Sequence, residues 1–408
     1  MYPQRKVAVV GLGVVSALGM TAKDFWDGLV KGRCGIGQLS LFDTSAYRTH
    51  LGAEVRGLDP AMHFGKKELG RMSRCDVLGM IAAREAMFDS GLDFATLDKE
   101  TVGVVLGGGA GGMLSGEKYR RDLHEKKRAP RPSLLIPFSP SVTTDYIAIE
   151  FGLEGPRATI VTACSSSSTS IGYAADLIRR GDADIIVTGG SDAMCELTYS
   201  GFNSLRAVDE GPCRPFDINR KGLSLGEGAS ILVLEEMERA KARGARIYAE
   251  LAGYGIAGDA YHMTAPEANG GGAARTIAGA LDDAGVSPEE VDYINAHGTA
   301  TRFNDVAETA AIKSVFGEKA YGIPVSSIKS MIGHCLGAAG GLEAAATVLS
   351  VYHGIIPPTI NYGNKDPHCD LDYTPNEARH KDLRVAISNS LAFGGNNTTI
   401  VVKKVQKS

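Results

Sequence analysis

Cys164 lies in the run Val161 to Ser170, between a β-branched stretch (Ala158 to Thr162) and a helical pattern that begins near Ile171. That order predicts a buried strand, a sharp turn and a helix, with the thiol at or near the helix N-terminus. There it would meet unpaired backbone N–H groups and the positive end of the helix dipole, and both favour the nucleophilic thiolate. The other reading of the same residues is a small buried apolar side chain. Four later stretches give Cys164 company: Asn295-Ala296-His297-Gly298-Thr299-Ala300-Thr301, then Ser326 to His334 with Lys329 inside it, then Gly337 to Glu343, and last Ser388 to Asn397 around Phe393-Gly394-Gly395. Two imidazoles, an ammonium and a glycine turn stand at strand or helix ends, where binding groups gather in α/β folds. Singly, a histidine in a turn or a lysine on a helix only hydrogen-bonds locally or faces water.

The elements that must position these groups alternate along the chain. Val7 to Gly13 reads as a strand followed by a glycine turn, and Thr21 as the N-cap of a helix through Phe25, Trp26 and Leu29. A missing third glycine, with Ser16 in its place, excludes a dinucleotide fingerprint there. Residues 66–88 read as a helical region, Val102 to Leu106 as a buried strand ending in the loop Gly107 to Gly112, and Ala183 to Gly190 and Ala229 to Glu235 as further strands. Near Ile247 the pattern restarts, with a helix over Ala273 to Ala284 and a strand over Val291 to Ala296 that ends in His297 much as the earlier one ends in Cys164. Alternating strands and helices predict a parallel or mixed sheet with crossover helices. The restart predicts two similar halves, residues 1–246 and 247–408, sharing one core.

Bulk properties narrow the class. The chain has 408 residues, 44% hydrophobic and 22% charged, in the range of an ordinary globular enzyme. A net charge of −4 disfavours nucleic acid as a partner. The seven cysteines show no metal spacing, and their odd number fits reduced thiols in a cytoplasm-like compartment. No stretch approaches the 18 or so uninterrupted apolar residues of a membrane span. The densest basic stretch, Arg120 to Arg131, reads as a solvated loop or as a dock for an acidic partner.

Together the motifs T-A-C-S-S at Cys164, N-A-H-G-T-x-T at His297, K-S-x-x-G-H-x-x-G-A-A-G from Lys329 and F-G-G-x-N at Phe393 resemble those of the β-ketoacyl-acyl-carrier-protein synthases, elongating type II branch, over essentially the whole chain. The resemblance implies a thiolase-like α/β fold of two duplicated halves in a five-layered αβαβα core. It implies that Cys164 takes an acyl group from the phosphopantetheine of an acyl carrier protein, with no other cofactor. The backbone N–H groups of Cys164 and Phe393 would hold the thioester oxyanion, and Phe393 would act as a gate beside Gly394 and Gly395. His297 and His334 would bind malonyl thioester and stabilise the enolate as CO₂ leaves. Lys329, paired with Glu308, would organise charge. Thr299 and Thr301 would meet the pantetheine arm, and Ala110 and Phe202 the acyl chain. Lys66, Lys67, Arg71, Arg74, Lys126, Lys127, Arg128 and Arg206 would dock the carrier. Asn295, Glu343, Ser388 and Asn389 match a structural site of the kind that holds a monovalent cation. A homodimer through the strand beside the cysteine helix is expected.

Several positions depart from the family pattern. Isoleucines 328 and 332 replace threonines, Lys221-Gly222-Leu223-Ser224 replaces D-G-F-V, Arg302-Phe303-Asn304-Asp305 replaces P-A-G-D, and Ala110 stands where a bulkier gate is common. These leave the nucleophile and both histidines in place and point to a longer or unusual acyl chain. The catalytic half of a ketosynthase/chain-length-factor heterodimer is the competing expectation. A non-catalytic partner subunit usually lacks the cysteine, and a thiolase would carry a second cysteine where Phe393-Gly394-Gly395 stands.

Overall fold

The computed structural model describes residues 5–93, 96–125 and 129–405. Strand β1 (Val7–Val15) continues through Gly11 and Gly13, where a turn is expected from the sequence, with a shift of register between Val9 and Gly11. Helix α1 (Ala22–Val30) follows, and the Thr21 side chain caps it by accepting from the Asp24 N–H. The glycines in β1 serve the next helix, α2 (Arg74–Asp89). It crosses the strand so closely that a Cβ at Gly11 would overlap the Ala86 carbonyl and one at Gly13 the Ala82 carbonyl. The helical region expected over 66–88 is broken, with one turn at Lys66–Leu69 and then α2, which Ser73 and Asp76 cap reciprocally.

The remaining framework is β2 (Val102–Gly107), α3 (Val142–Phe151), β3 (Arg157–Ile160), α4 (Ser166–Arg180), β4 (Ile185–Asp192) and β5 (Gly228–Glu236). The second half supplies β6 (Ala249–Gly258), α5 (Gly271–Ala284), β7 (Tyr293–Asn295), α6 (Asn304–Phe316), β8 (Val325–Ser326), α7 (Ala339–His353), β9 (Val385–Leu391) and β10 (Asn396–Lys403). All ten strands form one sheet in the order β8-β7-β9-β10-β6-β1-β5-β4-β2-β3. The half β1-β5-β4-β2-β3 and the half β6-β10-β9-β7-β8 have the same topology. In each, the first three strands are antiparallel neighbours and the last three are parallel. The halves join through β1 and β6 at Ala8–Glu250 and Val9–Ala249.

This repeat corrects one correspondence expected from the sequence. His297 follows β7, whose counterpart is β2, so the His297 loop matches the glycine loop 107–112. Cys164 follows β3, whose counterpart is β8, so it matches the turn of Lys329 and His334. Helices α4 and α7 lie between the two halves of the sheet, each touching strands of both. Helices α2 and α3 cover one outer face, and α5 and α6 the other, which completes five layers. Nearly every residue of α7 is buried, as is one whole flank of α4, so both sit in the middle of the core rather than on its surface.

Candidate active site

Cys164 sits in a single turn, Ala163–Ser165, between β3 and α4. Ala163 adopts φ +53°, a conformation unusual for a residue with a Cβ, and serine hydroxyls tie the turn down. The Thr162 N–H donates to Ser166 Oγ (2.9 Å), Ser166 Oγ to the Ala163 carbonyl (2.6 Å) and Ser165 Oγ to the Thr162 carbonyl (2.9 Å). The serine cluster thus builds the elbow that aims the thiol. Burial pushes the Cys164 thiol up to about 11, against the Lys329 charge and the Phe393 N–H, which favour the thiolate. The resting group is therefore a thiol. The helix end expected to lower its pKa is outweighed by desolvation.

The two imidazoles meet edge to face, ring centres 5.4 Å apart. His297 Nδ1 lies 3.2 Å from Lys329 Nζ, and His334 Nδ1 accepts from the Leu336 N–H at 3.1 Å. Both δ nitrogens are acceptors, since an ammonium and an amide can only donate, so the proton of each neutral ring is on Nε2. Burial, with the Lys329 charge, holds both rings well below their ordinary pKa. The result is two neutral N–H donors.

Lys329 pairs with Glu343, not with Glu308 as the resemblance implied. Glu308, buried on α6, instead accepts the backbone N–H groups of His297 and Gly298, both at 2.8 Å, and fixes the His297 loop. Glu343 lies on α7, one helix further along, and burial pushes its carboxyl up to about 7 against the Lys329 charge. Nothing short of the tertiary fold distinguishes the two carboxylates as partners.

A cavity of about 780 Å³ reaches this group and is lined by Cys164, His297, His334 and Phe393. Phe393 stacks on Phe202, centroids 5.6 Å apart, and Gly394 and Gly395 continue its turn with φ of +76° and +71°. Thr299 and Thr301 also line the cavity, their hydroxyls 2.9 Å apart. Ala110 does not line it. It packs behind Phe202 in an apolar cluster with Tyr199 and Leu336. Leu223, where an aromatic is usual, does line it, while Ile328 and Ile332 are buried in the main core. Arg48, Lys221 and Arg302 join Arg206 at the cavity, and sequence reading singled out only the last of these for binding.

The remaining docking candidates divide. Lys66, Lys67 and Arg71 are exposed, whereas Arg74 is turned inward and holds the buried Glu227 at 2.6 Å, so it is a structural ion pair. Lys126, Lys127 and Arg128 lie outside the described residues. Of the four positions of the expected cation site, Asn295 Oδ1 and Glu343 Oε2 are buried oxygens without a hydrogen-bond partner among the described residues. Oxygen acceptors of this kind suit a hard monovalent cation. Asn389 offers less, since its Oδ1 accepts from Thr399 and its amide donates to Glu308. Ser388 Oγ accepts from the Asn295 amide.

A buried thiol, two imidazole N–H donors and a facing backbone N–H at one cavity, on two repeated α/β halves, define a thiol-dependent acyltransferase of the thiolase-like class. Residues 4–240 match the Beta-ketoacyl synthase N-terminal domain and residues 248–363 its C-terminal domain. The chain is 43% identical over 413 residues to 3-oxoacyl-[acyl-carrier-protein] synthase 2 of Staphylococcus aureus (strain COL), covering 100% of both. Among solved structures it resembles the ishigamide ketosynthase/chain length factor, with TM-score 0.94, 39% identity, and 99% of this chain and 100% of that one covered. It also resembles a type II PKS ketosynthase solved with its acyl-carrier protein and bound to the hexaketide, with TM-score 0.92, 34% identity and coverage of 99% and 100%. The chain belongs to the beta-ketoacyl synthase family.

Proposed function

We propose that the chain condenses an acyl group, held as a thioester on Cys164, with malonyl thioester delivered by an acyl carrier protein. The observation that carries this reading is the shared Nε2–H state of His297 and His334 beside the thiol. In the first step Sγ attacks the carrier thioester, the C–S bond to pantetheine breaks, and the proton lost by Cys164 ends on the departing sulfur, so pantetheine leaves as its thiol. The Cys164 and Phe393 N–H groups stabilise the oxyanion. In the second step malonyl thioester loses CO₂, and the electron pair of the broken C–C bond becomes an enolate whose oxygen receives the two Nε2–H bonds. Neutral donors suit it, since a carboxylate there would repel the developing charge. The enolate carbon attacks the acyl carbonyl, and Cys164 leaves as the thiolate and recovers a proton.

Lys329 and Glu343 act through His297, and Thr299 and Thr301 hold the pantetheine arm. Arg206, with Lys66, Lys67 and Arg71, meets the acidic carrier. The substrates arrive on phosphopantetheine, and no further cofactor takes part. Among the described residues, strand β3 ends the sheet with one edge unpaired, and Val161 just beyond it is exposed. This supports a dimer through that edge, with a second copy as the default partner. Because the resembling structures include a ketosynthase with a chain length factor, a dissimilar partner on the same edge is the second reading.

The test is a product assay. Protein, a set of acyl carriers of different length and malonyl carrier should yield β-ketoacyl carrier with release of CO₂, and His334→Ala should abolish it. Folded protein that makes no product from any carrier alone, but does so with a chain-length-factor subunit, would replace the first reading with the second.

A further inference from the structure

Asp192, the last residue of β4, is fully buried and belongs to none of the groups that meet the substrate. Its carboxylate accepts from two separate segments. Oδ1 takes the Ala110 N–H at 3.0 Å and the Gly111 N–H at 3.2 Å, and Oδ2 takes the Gly337 N–H at 2.9 Å. Gly337 comes just after Leu336, a residue with a side chain held at φ +50°, whose N–H makes the hydrogen bond to His334 Nδ1. The Gly337 carbonyl is gripped from the other side by Ser167 Oγ, on α4, the helix that follows the Cys164 turn. There is no slack at this node, since a Cβ on Gly337 would lie 2.6 Å from the Gly108 carbonyl carbon and 2.9 Å from Asp192 Oδ2. Burial pushes the Asp192 carboxyl up to about 6, so at neutral pH it is ionised and able to accept at both oxygens.

We infer that Asp192 is a positioning residue for the condensation step, fixing the Leu336–Gly337 turn so that His334 presents Nε2–H to the cavity. This rests on the function proposed above. The carboxylate is needed because its neighbours are N–H donors on both sides. Asparagine, of the same shape, must turn its NH₂ group toward one segment, donor against donor. The turn then loses its anchor or the 110–111 loop does, and His334 loses the donor that sets its tautomer. A shift of about 1 Å at such a group can lower a rate about 100-fold.

The experiment separates the two half-reactions in the purified full-length protein. Acylation of Cys164 is followed by intact mass with an acyl carrier, and CO₂ release by radiolabelled malonyl carrier. For Asp192→Asn the expected result is acylation within about twofold of the parent and decarboxylation lowered about 10- to 100-fold, with KM for malonyl carrier little changed. Asp192→Ala should be slower still in the same step. Equal loss of both half-reactions, or of neither in Asp192→Asn, overturns the positioning role. A parent protein that performs neither half-reaction overturns the functional reading itself, so the two failures are distinguishable.

Discussion

At the residue scale the site depends on where charge is kept and where it is kept out. Lys329 is the buried cation that both imidazoles and the thiol feel, and Glu343 compensates it. Lys329→Met leaves a buried carboxylate without its cation and should destabilise the fold by about 3 kcal/mol or more, read as a fall in unfolding midpoint. Lys329→Met/Glu343→Leu should regain most of that loss without regaining activity. If the double variant is as unstable as the single one, the pair is not what holds these side chains. Cys164 provides a separate check through pH. With its thiol pushed up to about 11, thiolate is scarce at neutral pH and grows as pH rises. Alkylation of the resting enzyme by iodoacetamide should therefore climb about tenfold per pH unit from pH 8 to 10. A plateau by pH 8 would show that the helix end prevails over burial. The thiol, both histidines and Lys329 were legible as a constellation because their motifs are local. The Lys329–Glu343 pair was not, because Glu308 and Glu343 differ only in which helix faces the ammonium.

At the element scale, glycine does two different jobs that look alike in a sequence. Gly394 and Gly395 make the turn that carries Phe393, as their positive φ shows. Gly11 and Gly13 make no turn at all. They lie within a continuous strand and admit the backbone of α2. Local composition cannot separate these cases, since the second depends on a helix some 60 to 75 residues away. Gly13→Ala should cost about 1–3 kcal/mol in denaturant unfolding through overpacking, though the alanine suits a strand no worse than glycine. A neutral result would mean that α2 can move away without loss. The sequence places the start of the helical pattern near Ile171, whereas the helix already begins at Ser166 and the serine hydroxyls build the elbow before it. The thiol is pushed up, not down as a helix N-terminus alone would do, because the turn that carries it is buried in the core.

At the scale of the whole molecule, duplication explains how so few residues converge. Each half contributes a loop after its fourth strand in sheet order and a turn after its fifth. From these four places come the glycine loop 107–112, Cys164, His297, and the Lys329–His334 segment. In the sequence, the restart near Ile247 suggests a repeat but does not say which loops correspond, because equivalence resides in strand order and not in sequence similarity. In the proposed reaction the acyl group sits on a thiol from one half, beside imidazoles from the other. The most direct test is intact-mass and peptide mapping of protein incubated with an acyl carrier and then chased with malonyl carrier. The account predicts one acyl adduct, on Cys164, that disappears in the chase as β-ketoacyl carrier forms, and none on Cys164→Ala. An adduct on another residue, or one on Cys164 that malonyl carrier cannot discharge while the protein remains folded, would contradict it.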